Sequence, residues 1–168
     1  GRACQFYSKN KKYDFSIVSR KNPLFKEITS FKSLKDITKK EVQFDLVIHC
    51  SAATPFNCEF GKIVDINSNI DRELSDFINI SSIKQVIYLS TMAVYGDINV
   101  DVLSEKTIIN NPNLYGLSKY LGENHIKETC KNKNVKLAII RLPGVVGKNM
   151  PNIFFRRLYN SILNDVEV

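Results

Sequence analysis

Histidine and patterned cysteine are what this sequence has least of. His49 and His125 are its two histidines, and its four cysteines are Cys4, Cys50, Cys58 and Cys130. The histidines stand too far from other ligand types to argue for zinc. The cysteine spacing matches neither a metal site nor a disulfide framework, so no metal is expected. Cys50, at the end of a strand-like run, reads as a small buried apolar residue. No apolar run approaches the roughly 18 residues a membrane span needs, and no secretory signal pattern opens the chain. The expected setting is therefore reducing and cytoplasmic, with no membrane partner. A basic block interleaved with aromatics is missing too. The formal net charge is +7, but lysine is spread along the whole chain. Its densest runs, Lys9-Asn10-Lys11-Lys12 and Lys131-Asn132-Lys133, read as solvated helix ends and loops. That argues against nucleic acid as a partner, while the same excess of charge would draw phosphates toward a cleft.

What is present fits one globular domain covering residues 1–168, with 43% hydrophobic and 24% charged residues. A helix is expected over Arg2–Lys11, then a strand over Phe15–Ser19 ended by Arg20-Lys21-Asn22-Pro23. A short extended piece, Leu24–Ile28, and a helix over Ser33–Lys40 follow. Phe44–Cys50 is a near-continuous apolar run, the pattern of a strand buried on both faces. Asp65–Ile80 suits a helix with Ile66, Ile70, Leu74 and Phe77 on one stripe. Val86–Ser90 is the next strand, and a polar connection runs from Gly96 to Asn113. Leu114–Lys131 is the longest helix, Val135–Arg141 another strand, and Asn152–Leu163 a last helix. Strands alternating with helices predict a parallel α/β sheet. Ligands bind such sheets beyond the carboxyl ends of the strands, here at Ser19-Arg20, Cys50-Ser51-Ala52, Ser90-Thr91 and Leu142-Pro143-Gly144.

One pair of side chains falls at those ends with the right chemistry. Tyr115 and Lys119 are four residues apart, one turn on the same helix face. An ammonium beside a phenol favours the phenolate and lowers its pKa, which lets a tyrosine exchange protons near neutral pH. Thr91 ends the apolar run Val86-Ile87-Tyr88-Leu89, where its hydroxyl could face a ligand. These three side chains could form a hydride-transfer site. The spacing alone is weak evidence, since Tyr7 and Lys11 share it and read as a helix surface. The order of the surrounding segments is more specific.

That order resembles the extended short-chain dehydrogenase/reductase family, the NAD(P)-dependent epimerases and dehydratases of nucleotide sugars. Five segments carry it: V-I-H-C-S-A-A at 47–53, D-I-N-S-N at 65–69, L-S-T-M-A-V-Y-G-D at 89–97, N-P-N-L-Y-G-L-S-K-Y-L-G-E at 111–123 and I-I-R-L-P-G-V-V-G at 139–147. The resemblance implies a Rossmann-like, doubly wound parallel sheet in three α/β/α layers. It implies that Tyr115 is the acid/base, that Lys119 lowers its pKa and binds the nicotinamide ribose, and that Thr91 hydrogen-bonds the reacting oxygen. It places the cofactor against Cys50, Ser51, Ala52 and Leu89. Leu142, Gly144 and Val145 would lie near the nicotinamide, or simply form a strand-ending turn. Asn67 falls at the family's helix asparagine, and equally suits a helix cap.

The departures narrow the reaction. Met92-Ala93 stand where the 4,6-dehydratases carry Asp-Glu, so water elimination is disfavoured and an epimerase or keto-sugar reductase remains. A non-catalytic dinucleotide-binding member is the alternative. Ser51 replaces the usual Ala, and Ile28 stands where many members carry an Asp. No Gly-x-x-Gly-x-x-Gly occurs; Gly1 is either its third glycine or the remnant of a tag. With the first reading, the first strand of the sheet is missing and two strand edges are exposed. The small substrate-binding part is missing as well, and the chain is expected to be a fragment of a longer enzyme. Ser19-Arg20-Lys21, roughly 20 residues after Gly1, favour NADP over NAD, or else form a solvated loop. The expected substrate is a nucleotide sugar or another small keto/hydroxy compound, and a homodimer through the long helices is plausible by analogy.

Overall fold

The structure is a computed structural model in which residues 14–19, 29–37, 43–144, 159 and 161–163 are described. The expected helix Arg2–Lys11, the piece Leu24–Ile28, and Gly1, Arg20 and Val145 lie outside the described residues. So does most of the last helix, although residues 161–163 are helical.

The described chain alternates strands and helices. They are β1 (Ser16–Val18), β2 (Thr29–Phe31), α1 (Leu34–Ile37), β3 (Gln43–His49), α2 (Ile63–Ile80), β4 (Ser82–Thr91), α3 (Leu114–Asn132) and β5 (Lys136–Leu142). All ladders are parallel. β1 pairs with β2, and β3–β4–β5 form a separate sheet with β4 in the centre. In the register of the larger sheet His49 lies beside Tyr88 and Thr91 beside Leu142. The carboxyl ends of three strands therefore come level at one edge.

From Val86 onward, burial along β4 follows the strand period of two. Along β4, Val86, Tyr88 and Ser90 are buried and point to the face that α2 and α3 cover. The core there joins Leu74, Phe77 and Ile78 of α2 to Val86, Tyr88, Ile126 and Cys130. β3 departs from the two-faced burial that its apolar run predicts. Leu46 is 44% exposed and Ile48 38%, because both described long helices lie on the opposite face of the sheet. Cys50 also departs from expectation: it is exposed, since the strand ends one residue before it.

The buried stripe of α2 agrees with its apolar pattern at Leu74 and Phe77 and departs from it in the first half of the helix. Ile66 is exposed, and the buried positions are Ile63, Asn67, Asp71, Leu74, Ser75, Phe77 and Ile78. In its first half the helix thus buries two polar side chains at i, i+4 spacing. α3 begins where the Asn113 side chain accepts from the Gly116 backbone N–H at 2.9 Å, an N-cap. Gly116 lets this first turn lie against the β4 exit. A Cβ there would stand 2.0 Å from the Ala93 carbonyl oxygen.

Candidate active site

The rim of the site is Thr91 and Tyr115. Thr91 ends β4, and its Oγ1 accepts from the Ala93 backbone N–H at 3.2 Å, capping the short 3-10 helix Met92–Tyr95. Tyr115 is the second residue of α3, one position before the glycine that touches Ala93. The fold therefore brings Thr91 and Tyr115 to the same corner, and both are half-buried. Burial pushes the Tyr115 phenol above its ordinary value, opposite to the lowering the Tyr–Lys spacing predicts.

The reason lies in the floor. Lys119 is 2% exposed, and its Nζ donates to the Tyr88 hydroxyl at 2.7 Å. The same amine stands 3.9 Å from the centre of the Tyr88 ring. Tyr88 in turn donates to the Asp71 carboxylate, 3.0 Å from Oδ1 and 3.1 Å from Oδ2. His49 stacks on the Tyr88 ring at 5.3 Å, with its Nε2 3.6 Å from Asp71 Oδ1. The lysine is thus turned toward the strand beneath it and takes little hold of the neighbouring tyrosine. Burial lowers the Lys119 pKa to about 8, with Asp71, Glu123 and Cys50 opposing that fall. Burial and the Asp71 charge both push the Tyr88 phenol far up, so it stays protonated.

Asn67 joins the floor to the loop after β3. Its Oδ1 accepts from the Ala53 N–H at 2.6 Å, and its Nδ2 donates to the Ala53 carbonyl at 3.1 Å and to Ser118 Oγ at 2.8 Å. Ser118 donates onward to the Tyr115 carbonyl at 2.8 Å. Asn67 lies in the second turn of α2, where Lys62 is the N-cap, so the helix-cap reading is wrong. It acts instead as a clamp that fixes the Cys50–Ala53 loop against the turn carrying Tyr115. Glu123 and Arg141 brace the other side of α3. Arg141 Nη2 lies 2.6 Å and Nε 3.0 Å from the Glu123 carboxylate, and its guanidinium sits over the Tyr95 ring.

The remaining candidates divide by place. Cys50 is within electrostatic reach of Lys119, and Ser51 is exposed beside it. Leu89 and Leu142 are partly buried at the ends of their strands, and Gly144 is exposed with open space around it. The Ser19 backbone N–H donates to the Phe31 carbonyl at 3.0 Å and closes the β1–β2 pair, in the separate small sheet. Sequence reasoning missed Asp71, Tyr88 and Ser118. The available signal was polar residues at i, i+4 in α2, on the face that a strand of Val and Ile has to cover.

Comparison with known proteins shows the family and the fold. The family model described as NAD dependent epimerase/dehydratase family matches residues 1–168. The chain belongs to that family. A search of the curated proteins finds no match. Among solved structures, the UDP-glucuronic acid 4-epimerase from Bacillus cereus in complex with NAD aligns with TM-score 0.78 at 22% identity, over 97% of this chain and 58% of that one. A UDP-glucose 4-epimerase aligns with TM-score 0.78 at 17% identity, over 99% and 58%. The UDP-N-acetylglucosamine 4-epimerase from Bacillus cereus aligns with TM-score 0.73 at 18% identity, over 97% and 58%. The chain therefore spans less than two thirds of the length of these structures. The fold of this epimerase-family chain is Rossmann-like, with parallel sheets and flanking helices. Among the described residues no helix is long and apolar enough to cross a membrane.

Proposed function

We propose that this chain is the nucleotide-binding portion of an NAD(P)-dependent sugar-nucleotide epimerase or keto-sugar reductase. The observation that carries the reading is a single corner of the parallel sheet. There, α3 sets Tyr115 and Lys119 one turn apart and lies against the Thr91 turn through Gly116. The residues there suit the nicotinamide end of a dinucleotide: Cys50 and Ser51 are exposed at the end of β3, above a buried amine able to donate hydrogen bonds. The bound cofactor supplies the hydride acceptor and donor.

The protein groups handle the proton and the alignment. Tyr115 takes the proton of the sugar hydroxyl as its carbon gives up hydride, and returns a proton when hydride comes back. Because burial holds its phenol up, Tyr115 ionises near neutral pH only with a positive charge close by, and Lys119 is the cation on its own helix face. Thr91 orients the reacting oxygen. Met92 and Ala93 offer no group that moves a proton, so the site is not built to eliminate water. The substrate is a nucleotide sugar, the class bound by the similar B. cereus enzyme crystallised with UDP-glucuronic acid, and a homodimer is the assembly we favour.

Replacing Tyr115 with Phe in the complete protein is the test. Hydride transfer to a keto-sugar or from a nucleotide sugar should fall by about 100-fold or more while dinucleotide binding stays; full turnover in the variant refutes the assignment. A second reading is a member that binds dinucleotide without turnover. The inward-turned Lys119 amine and the raised Tyr115 phenol support it, and cofactor binding with no hydride transfer in the wild type would establish it. Within the first reading NADP is preferred to NAD through Arg20. Titration with NADPH and NADH should then favour NADPH, and Arg20→Ala should erase the preference.

A further inference from the structure

We propose that Asp71 is a positioning residue for the lysine of this site: through the Tyr88 hydroxyl it anchors the Lys119 amine and keeps it charged beneath the cofactor. This rests on the functional reading above. The connection is continuous and has one direction of donation. Lys119 Nζ donates to Tyr88 at 2.7 Å, and Tyr88 donates to both Asp71 oxygens at 3.0 and 3.1 Å. All three side chains are at most 3% exposed. A carboxylate buried this deeply is costly unless a positive charge and donors answer it. Gly122 makes the room, since a Cβ there would stand 2.1 Å from Asp71 Oδ2 and 2.3 Å from the Tyr88 oxygen.

The groups facing the amine decide its charge. From α2 comes Asp71, from β4 Tyr88, from β3 His49 and, just after it, Cys50, and from α3 itself Glu123 and Tyr115. Glu123 is committed to Arg141 by a bidentate pair, and Tyr88 stays protonated. Asp71 is therefore the anion chiefly available to offset the burial of Lys119. A lysine held this way keeps its charge in one place beneath the strand end that carries Cys50.

The measurement is the titration of Lys119 in the complete protein, followed by NMR of its Cε and Nζ without cofactor. In the wild type Lys119 should be charged at pH 7 despite its burial; a neutral amine there overturns the proposal. Asp71→Asn, which keeps shape and still accepts from Tyr88, should lower the titration midpoint by roughly one pH unit or more. Asp71→Ser is the second carrier of the same test. An unchanged midpoint in either folded variant overturns the proposal. The alkaline loss of NADPH or NADH affinity should then move to lower pH together with the lysine, and an affinity limb that stays in place while Lys119 shifts also overturns it. If the wild type binds no dinucleotide at any pH, the functional reading fails, and the lysine titration still decides whether Asp71 sets the charge.

Discussion

Tyr115 and Tyr88 flank the same lysine, one from the preceding turn of α3 and one from the strand beneath, and the two are held very differently. Tyr115 sits half-buried at the rim with Thr91, on short local contacts: a capped helix start and a hydroxyl-capped turn. Tyr88 is fully buried in the floor, with its hydroxyl shared between an amine and a carboxylate that come from two different helices. The rim can give up its contacts to a ligand at little cost. The floor cannot, because each of its polar groups would be left buried and unanswered. On the function proposed above, the reacting groups are those free to change partners, on a base that stays fixed.

The sharpest way to break this contrast is to remove one hydroxyl at a time. Tyr115→Phe should cost turnover by about 10²- to 10⁴-fold, the usual scale for losing a positioned acid/base, and leave unfolding unchanged. Tyr88→Phe should do the reverse, retaining measurable turnover and lowering stability. Steady-state kinetics and urea unfolding of the pair decide it, and equal kinetic losses would abolish the division between rim and floor. Next in size is the brace behind the floor. Glu123→Ala leaves Arg141 without its carboxylate, and removing one partner of a buried pair costs about 3–5 kcal/mol. The lower end applies here, because the Arg141 side chain keeps 20% of its surface exposed. Chemical unfolding should show the loss, with little of it recovered at high salt.

Lys119 offers a test by pH. Its pKa is lowered from 10.5 to about 8 by burial. Below about pH 8 the lysine is protonated in both folded and unfolded chains, and folding bears the full cost of burying the charge. Between pH 8 and 10.5 the unfolded chain keeps the proton and the folded chain releases it, so stability rises with pH over that window. Lys119→Met has no such group. The stability of the wild type relative to this variant should therefore climb between pH 8 and 10.5, by up to about 3 kcal/mol. A flat difference would mean that the amine is solvated and the floor open.

The same division explains what could be read from the sequence. The rim announces itself locally: Thr91 closes an apolar run, and Tyr115 stands four residues before a lysine on one helix face; of the floor, only Lys119 shares that signal. Elements with a clear period, such as the helices at 63–80 and 114–132, were legible to within two residues at each end. The floor depends on contacts between residues 17 to 51 positions apart, such as Tyr88 with Asp71 and Asn67 with Ser118, and no local pattern encodes those. The apolar stripe Ile66, Ile70, Leu74, Phe77 holds at Leu74 and Phe77 and misled at Ile66 for the same reason. A helix is read by assuming that polar residues face water, and in α2 the paired contacts of Asn67 and Asp71 outweigh that tendency. Cys50 was misplaced because its burial depended on where β3 stops, and strand ends are weakly marked in sequence.

Thr91 makes the smallest and most discriminating prediction. Its oxygen already accepts from the Ala93 N–H, and a hydroxyl that accepts can still donate its own hydrogen. The cap and a substrate contact therefore do not compete for the same part of the group. Thr91→Ser keeps both functions and should retain near wild-type stability and turnover. Thr91→Val keeps the shape and loses both. Its stability should fall by about 1 kcal/mol for the lost cap, and its turnover by about tenfold, the worth of one ordinary hydrogen bond to the reacting oxygen. If Val loses stability but not turnover, Thr91 is a cap only, and the rim reduces to Tyr115. If turnover falls with stability unchanged, the hydroxyl belongs wholly to the substrate, and the Ala93 contact contributes nothing to the fold.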